Sequence, residues 1–174
     1  MKKVAFISIG LMALTAEDIP EAVRWLTQSL ALAREGADDR EIAASARSLA
    51  AAMVELGDTH QATELLAESL VVARDIGETH GIAVCLETYA GVAASMNDPA
   101  RAATLFGAGD SVRASIGAQR QPDNQILYDR WLARTLAGLN TKRYAKHYED
   151  GRALSLDAAC SLALGSRVLI SKTA

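Results

Sequence analysis

Residues 57–62 read Gly57-Asp58-Thr59-His60-Gln61-Ala62, a composition typical of the turn between two helices. Glycine often ends a helix because it adopts the left-handed backbone conformation without strain. The aspartate after it can cap the next helix, and a glutamine three residues later completes a capping-box pattern. A related signal occurs at Glu17-Asp18 and at Asn97-Asp98, so the capping aspartate recurs at intervals of 40 residues. The sequence therefore predicts three helical hairpins with similar turns.

Further columns of residues recur in phase with these aspartates. Small residues and large apolar residues stand at fixed distances before and after each turn. We expect the small ones to let the two helices of a hairpin approach closely, and the large ones to fill the space between hairpins. Because one hairpin cannot bury its apolar face alone, the hairpins should stack. The columns are Gly10, Ala50 and Ala90; Ile9, Leu49 and Tyr89; Ala22, Ala62 and Ala102; Leu26, Leu66 and Phe106; and Ser29, Ser69 and Gly109.

This pattern resembles the tetratricopeptide repeat in the small residue Ala50, the Gly-Asp turn, and Ala62, Leu66 and Ser69. The period exceeds the usual one of about 34 residues. We interpret this as longer helices, since the stretches from Glu21 to Arg34 and from Gln61 to Arg74 are helical in pattern throughout. An armadillo- or HEAT-like pairing fits the period better but not the small-residue columns. The resemblance implies an all-α fold, a right-handed α-solenoid of tetratricopeptide-like helical hairpins with a C-terminal helical cap. The predicted regions are residues 1–117, three repeats of about 40 residues each, and residues 118–174, capping helices and a tail.

The predicted capping helices follow a polar loop after Gly117, where the period ends. An apolar stripe with helical spacing predicts a helix over residues 124–139. Thr141 is predicted to cap a short helix that Gly151 ends, and Ser155 to cap a last helix through Leu164.

Composition excludes several classes of protein. Half of the residues are hydrophobic, and with three prolines in the chain long helices are possible. A net charge of −3 offers no overall basic excess for nucleic acid, so no direct nucleic-acid binding is expected. Cys85 and Cys160 lie far apart in apolar helical patterns, which we interpret as buried free thiols.

No residue pattern predicts catalysis, a metal or a cofactor, and we predict that the chain is not an enzyme. The stretch Phe106-Gly107-Ala108-Gly109-Asp110 suggests a dinucleotide loop, but no strand precedes it and its third glycine is missing. We interpret it as close packing between helices. His60, His80 and His147 have no mutual helical spacing suited to a metal site.

The N-terminus allows two interpretations. Lys2 and Lys3 precede an apolar run over residues 4–14, as in a signal peptide. However, Ile9, Gly10, Ala13 and Asp18 occupy the places of Leu49, Ala50, Met53 and Asp58 in the repeat. This register favours a first repeat helix and a cytoplasmic protein. Export through residues 1–16 remains the alternative.

The C-terminal third resembles a known family. Residues 100–113, Tyr128 and residues 151–159 are similar to the end of the helical-repeat region in LuxR-type and adenylate-cyclase-associated bacterial regulators. The resemblance covers about residues 40–165, and its most specific piece is Asp150-Gly151-Arg152-Ala153-Leu154-Ser155. It implies a region that senses a ligand or partner and biases a transcriptional regulator between two states.

The chain also departs from this family. No phosphate-binding loop of the ATPase module is present, and the residues after Leu164 are too few for a helix-turn-helix. Tyr144, His147 and Tyr148 replace apolar positions of the family. We therefore expect a non-catalytic binding module without the ATPase and DNA-binding modules. The alternatives are an exported helical scaffold or an accessory domain of an enzyme assembly.

A ligand groove is predicted on the concave surface lined by the first helix of each hairpin. Arg47 and Glu87 stand at equivalent places of two repeats and could read the charges of a peptide, or could pair with each other as an exposed salt bridge. We expect a protein or peptide partner, with a small-molecule effector or a homodimer as the alternatives, and no membrane. The predicted groove residues are Arg47, Ala51, Val54, Glu55, Val84, Glu87, Gly91 and Ser95.

Overall fold

A computed structural model describes residues 2–165, and every regular element among them is an α-helix. The predicted all-α fold is confirmed. The predicted tail over residues 166–174 lies outside the described residues. The helices are α1 (Lys2–Thr15), α2 (Ile19–Glu35), α3 (Asp39–Leu56), α4 (Thr59–Asp75), α5 (Thr79–Ser95), α6 (Pro99–Ser115), α7 (Pro122–Ala137), α8 (Thr141–Arg152) and α9 (Leu156–Leu164).

The three predicted turns join α1 to α2, α3 to α4, and α5 to α6. At each turn the aspartate accepts a hydrogen bond from the backbone N–H three residues later, at 3.2 Å for Asp18, 3.0 Å for Asp58 and 3.1 Å for Asp98. These caps satisfy N–H groups that have no partner within the helix. The turn assignment is confirmed.

The turns repeat with half of the predicted 40-residue period. A residue with positive φ stands just before each cap, and the connections between hairpins repeat the same geometry. Asp38 caps α3 like the other aspartates, its carboxylate accepting from the N–H of Glu41 at 3.1 Å. Each helix and its turn therefore span 20 residues, and the 40-residue period consists of two similar halves. The positive-φ residues are Glu17, Ala37, Gly57, Gly77, Asn97 and Gly117.

Packing follows the predicted columns. Each helix from α1 to α6 contacts the next, and α1, α3 and α5 also contact one another in succession. A Cβ added to Gly10 would lie 2.5 Å from Cγ of Leu26, so α1 and α2 cross closely there. Ala50, Ala90 and the alanines of the second small column are fully buried. Ile9 is the exception, 39% exposed because no described helix packs outside the first hairpin.

The last three helices pack on this array, and three details differ from the sequence prediction. Helix α7 (Pro122–Ala137) begins and ends two residues earlier than the predicted range of 124–139, because Pro122 fits the first helical turn, where its missing N–H costs no hydrogen bond. Asn140, not Thr141, caps α8 by accepting from the N–H of Arg143 at 2.9 Å. Gly151 does not end α8 but lies within it, where an added Cβ would lie 1.9 Å from the Thr104 carbonyl oxygen of α6. This glycine is required for backbone contact between α6 and α8. Ser155 caps α9 as predicted.

The glycines of residues 106–110 serve the same packing. An added Cβ at Gly107 would lie 1.9 Å from the Tyr148 carbonyl oxygen, and one at Gly109 would lie 2.9 Å from Cγ of Glu87. Both glycines stand in the interior of α6. The interpretation of this stretch as close helix packing is confirmed.

None of the helices described is both long and apolar enough to cross a membrane.

Candidate functional site

Helix α7 lies on the face formed by α1, α3 and α5. Trp131 of α7 covers Gly91 of α5, where an added Cβ would lie 2.6 Å from the indole ring. Its indole N–H donates to Glu55 of α3 at 2.8 Å. Arg130 donates to the carbonyl oxygens of Leu14 and Thr15 at the end of α1, at 3.3 and 2.8 Å. One helix thus contacts the first helix of all three hairpins.

This placement of α7 covers most of the predicted groove. Among the predicted groove residues, Ser95 alone is exposed, while Arg47 and Glu55 are partly buried. The expectation that the set faces an open groove is wrong, because the chain itself supplies a helix for that surface. The buried members are Ala51, Val54, Val84, Glu87 and Gly91.

Arg47 and Glu87 do not pair with each other, and neither is exposed. The guanidinium of Arg47 donates to both carboxylate oxygens of Glu78, at 3.0 and 3.2 Å, with both side chains 12% exposed. Glu87 accepts two hydrogen bonds from Arg113, at 2.6 and 2.9 Å. The predicted exposed salt bridge between Arg47 and Glu87 is therefore wrong, since tertiary contacts provide each charge with a different partner.

Glu87 belongs to a buried polar network that holds the start of α7. Arg120, in the loop before α7, lies 3.0 Å from Glu87, pairs with Asp110, and stacks on the ring of Tyr128 at 3.7 Å. Tyr148 of α8 donates to Asp110 at 2.7 Å. Burial raises the pKa of Tyr128 and Tyr148, so both phenols stay protonated at neutral pH and can donate.

A cleft remains open beside the first residues of α7. It has a volume of about 390 Å³ and lies between α1, α3, α5 and the start of α7. Of the predicted groove residues, Arg47 and Val84 line it. The other lining residues are not among the predicted ones, although His80 stands four residues before Val84 on the same face of α5. These are Ile7, Leu11, Ala44, Ser48, His80, Gln121, Pro122, Asp123 and Asn124.

The cleft presents polar side chains from α5 and from the start of α7. Burial lowers the pKa of His80, and the positive charges of Arg113 and Arg47 lower it further. A neutral imidazole can donate one hydrogen bond and accept another. Asp123 and Asn124 provide further polar atoms on the opposite wall. Such a site can bind a polar group by hydrogen bonding.

The cysteines are buried free thiols, as the sequence predicts. Burial raises the pKa of Cys85 to about 11, so its thiol is protonated at neutral pH. A protonated, buried thiol is a weak nucleophile. Within residues 2–165, no cluster of three or more side chains is arranged to hold a metal ion.

Comparisons of the chain with models of protein families, with curated proteins and with solved structures find no match.

Proposed function

We propose that this chain is a non-catalytic helical-repeat binding module, a right-handed α-solenoid of tetratricopeptide-like hairpins with a C-terminal helical cap. The support is the succession of hairpins with buried small residues where their helices cross. Contacts that join α1, α3 and α5 in order also fit a stacked array. The residues shared with LuxR-type and adenylate-cyclase-associated regulators suggest a sensor region.

The observation that carries this proposal is the cleft of about 390 Å³ beside the start of α7. Its volume falls in the range of about 300–1,000 Å³ typical of small-ligand sites. Because α7 covers the rest of the concave face, the cleft accepts a short peptide segment or a small polar effector rather than a long helix. Arg47, His80 and Asp123 are the groups that would orient it.

The proposed compartment is the cytoplasm. Two buried free thiols are compatible with a reducing environment. The α1 segment packs on α2 as the first helix of a hairpin, so its removal with a signal peptide would expose the apolar face of α2. Mass spectrometry of the natural N-terminus distinguishes a cytoplasmic protein, which keeps α1, from an exported protein that has lost residues 1–16.

The test of the cleft is affinity capture from cell extract with matched bait variants. His80→Trp should fill the cleft, whereas His60→Trp places the same side chain in the first turn of α4, at a position 73% exposed. A partner of the cleft should be captured by the unmodified chain and by His60→Trp, and lost with His80→Trp. Equal capture by both variants would exclude the cleft as the binding site.

A further inference from the structure

A second cavity lies at the opposite end of the hairpins, where the end of α9 meets α4, α5 and α6. It has a volume of about 320 Å³. Val92, Ala93 and Met96 of α5 form one wall, and Ala163 and Leu164 of α9 form another. The exposed lining is mainly apolar, and Met96 at the rim is 63% exposed. The cavity is therefore open to solvent and suited to an apolar group.

Arg101 places a positive charge in this apolar cavity, and no carboxylate among residues 2–165 forms a salt bridge with it. Its guanidinium donates to the carbonyl oxygens of Leu162 and Ala163, both at 3.0 Å. Its buried Nε has no hydrogen-bond partner among the described residues. Carbonyl groups at the end of α9 compensate only part of a full charge, because a helix C-terminus carries about half a negative charge.

The other partly or fully buried arginines differ from Arg101 in this respect. Each of them pairs with at least one carboxylate, as a charge removed from water requires. Within the described part of the chain, Arg101 has no such salt bridge. The paired arginines are Arg47, Arg113, Arg120 and Arg130.

Tyr89 provides a second polar group in the same cavity. Its hydroxyl is 3.5 Å from the carbonyl oxygen of Thr63, at the outer limit of a hydrogen bond. Burial raises the pKa of Tyr89, so the phenol keeps its proton at neutral pH. A hydroxyl held so weakly can donate instead to an acceptor that enters the cavity.

We propose that this cavity binds a small monocarboxylic acid with an apolar body, its carboxylate accepting hydrogen bonds from Arg101 and Tyr89. The apolar body lies against Val92, Ala93 and Leu164. An arginine without a carboxylate partner favours an anion over a neutral group of the same shape. The reason is that a hydrogen bond between two ionised groups is stronger than one that involves a neutral group. The site is separate from the cleft beside α7 and does not depend on the function proposed for that cleft.

Isothermal titration calorimetry on the full chain tests this proposal, with octanoate and octanol as the probes. We expect octanoate to bind with a dissociation constant of about 1 mM or tighter, and octanol to bind on the order of tenfold more weakly. Methyl signals of Val92, Met96 and Leu164 in NMR spectra should shift on addition of octanoate. Absence of octanoate binding, or shifts confined to methyl groups elsewhere, would overturn the proposal.

Two variants identify the group that recognises the carboxylate. Arg101→Met keeps the length of the side chain and removes its charge, so octanoate should lose its advantage over octanol. Arg101→Lys retains the charge and should preserve part of the advantage. An unchanged preference in Arg101→Met would refute the role of Arg101. Should that variant fail to fold, equal binding of octanoate and octanol to the unmodified chain would refute it as well.

Discussion

Single residues at the turns have the same two roles throughout the hairpins. One residue adopts positive φ, and the acidic residue after it begins the next helix. Glu78 is the exception, since it precedes α5 without a side-chain capping bond and its carboxylate pairs with Arg47. The cap and the salt bridge compete for one carboxylate, and here the buried arginine binds it.

Asp58 provides the direct test of a cap. Replacement by alanine removes the acceptor for the N–H of Gln61 and should lower the free energy of unfolding by about 0.5–2 kcal/mol. Urea unfolding followed by circular dichroism measures this change. Asp75→Ala, at an exposed position at the other end of α4, is the control and should change stability by less. Equal losses in the two variants would contradict the capping role.

Ala37 tests the strain of positive φ. Alanine at φ 47° is unfavourable by roughly 1–2 kcal/mol, and glycine removes that strain while losing more entropy on folding. Ala37→Gly should therefore stabilise the protein, by about 0.5–1 kcal/mol. The same substitution at the exposed Ala31 inside α2 should destabilise it by a similar amount. Thermal unfolding midpoints that move in opposite directions would confirm the prediction, and a common direction would refute it.

His80 makes stability depend on pH. Its pKa is lowered in the folded protein by burial and by the charges of Arg113 and Arg47, with Glu78 and Glu87 opposing them. The unfolded chain therefore binds the proton more readily, so stability falls as pH decreases below about 6.5. Urea unfolding measures the free energy of unfolding at about pH 7.5 and about pH 5.5. The decrease between the two pH values should be smaller in His80→Gln than in the unmodified chain. An equal decrease in both proteins would contradict the lowered pKa of His80.

Between elements, a largely buried charge pair joins two helices that line the cleft. The pair between Arg47 and Glu78 joins α3 to the start of α5 beside the cleft. The sequence predicts that Arg47 is exposed and binds a charged group of a partner. On that interpretation, Arg47→Glu should leave the thermal unfolding midpoint nearly unchanged. Its burial changes that expectation.

Arg47→Glu should lower the free energy of unfolding by about 3–5 kcal/mol, because it leaves two carboxylates facing each other in a partly buried site. The double variant Arg47→Glu with Glu78→Arg should recover part of this loss. Arg34→Glu breaks the exposed pair with Glu68 and should cost about 1 kcal/mol or less. Chemical denaturation of the unmodified chain, of Arg47→Glu and Glu78→Arg alone, and of the double variant measures the coupling, and additive losses would mean that no pair energy exists.

At the scale of the whole molecule, α7 contacts the first helix of every hairpin. In an array of repeats, each repeat contacts only its nearest neighbours. The stability of such an array is close to the sum of the stabilities of its repeats and of the interfaces between them. Helix α7 adds contacts between distant repeats. Its Arg130 binds the end of α1, and its Trp131 packs on Gly91 of α5. We therefore expect the hairpins to unfold as one cooperative unit.

Trp131→Ala should remove this coupling. The loss of a buried tryptophan costs about 3–5 kcal/mol, and the remaining Trp25 of α2 reports on the first hairpin. In the variant, the fluorescence and circular dichroism transitions should separate, whereas they coincide in the unmodified chain. Leu136→Ala, at a position of α7 that is 43% exposed, should keep them together. Coincident transitions in Trp131→Ala would show that the hairpins are coupled without α7.

The sequence alone determined the helical hairpins and their turns. Capping residues, glycines and small-residue columns are local signals, because they act within one turn of helix or across one hairpin. Asp38 and Glu78 also mark a 20-residue spacing, but the other residue columns repeat only every 40 residues, so the longer period is the more evident one in the sequence. The buried thiols and the packing role of Gly107 followed from the same periodicity.

Which surfaces stay open depends on how distant helices pack against one another. The apolar stripe of α7 predicted a helix but not the face it covers, since several apolar faces of the array were available to it. The partners of Arg47 and Glu87 lie 31 and 26 residues away in sequence, and no periodic pattern links a charge to a partner at such distances. The cleft beside His80 and the cavity around Arg101 form where separate helices meet, so they depend on packing that no local signal encodes.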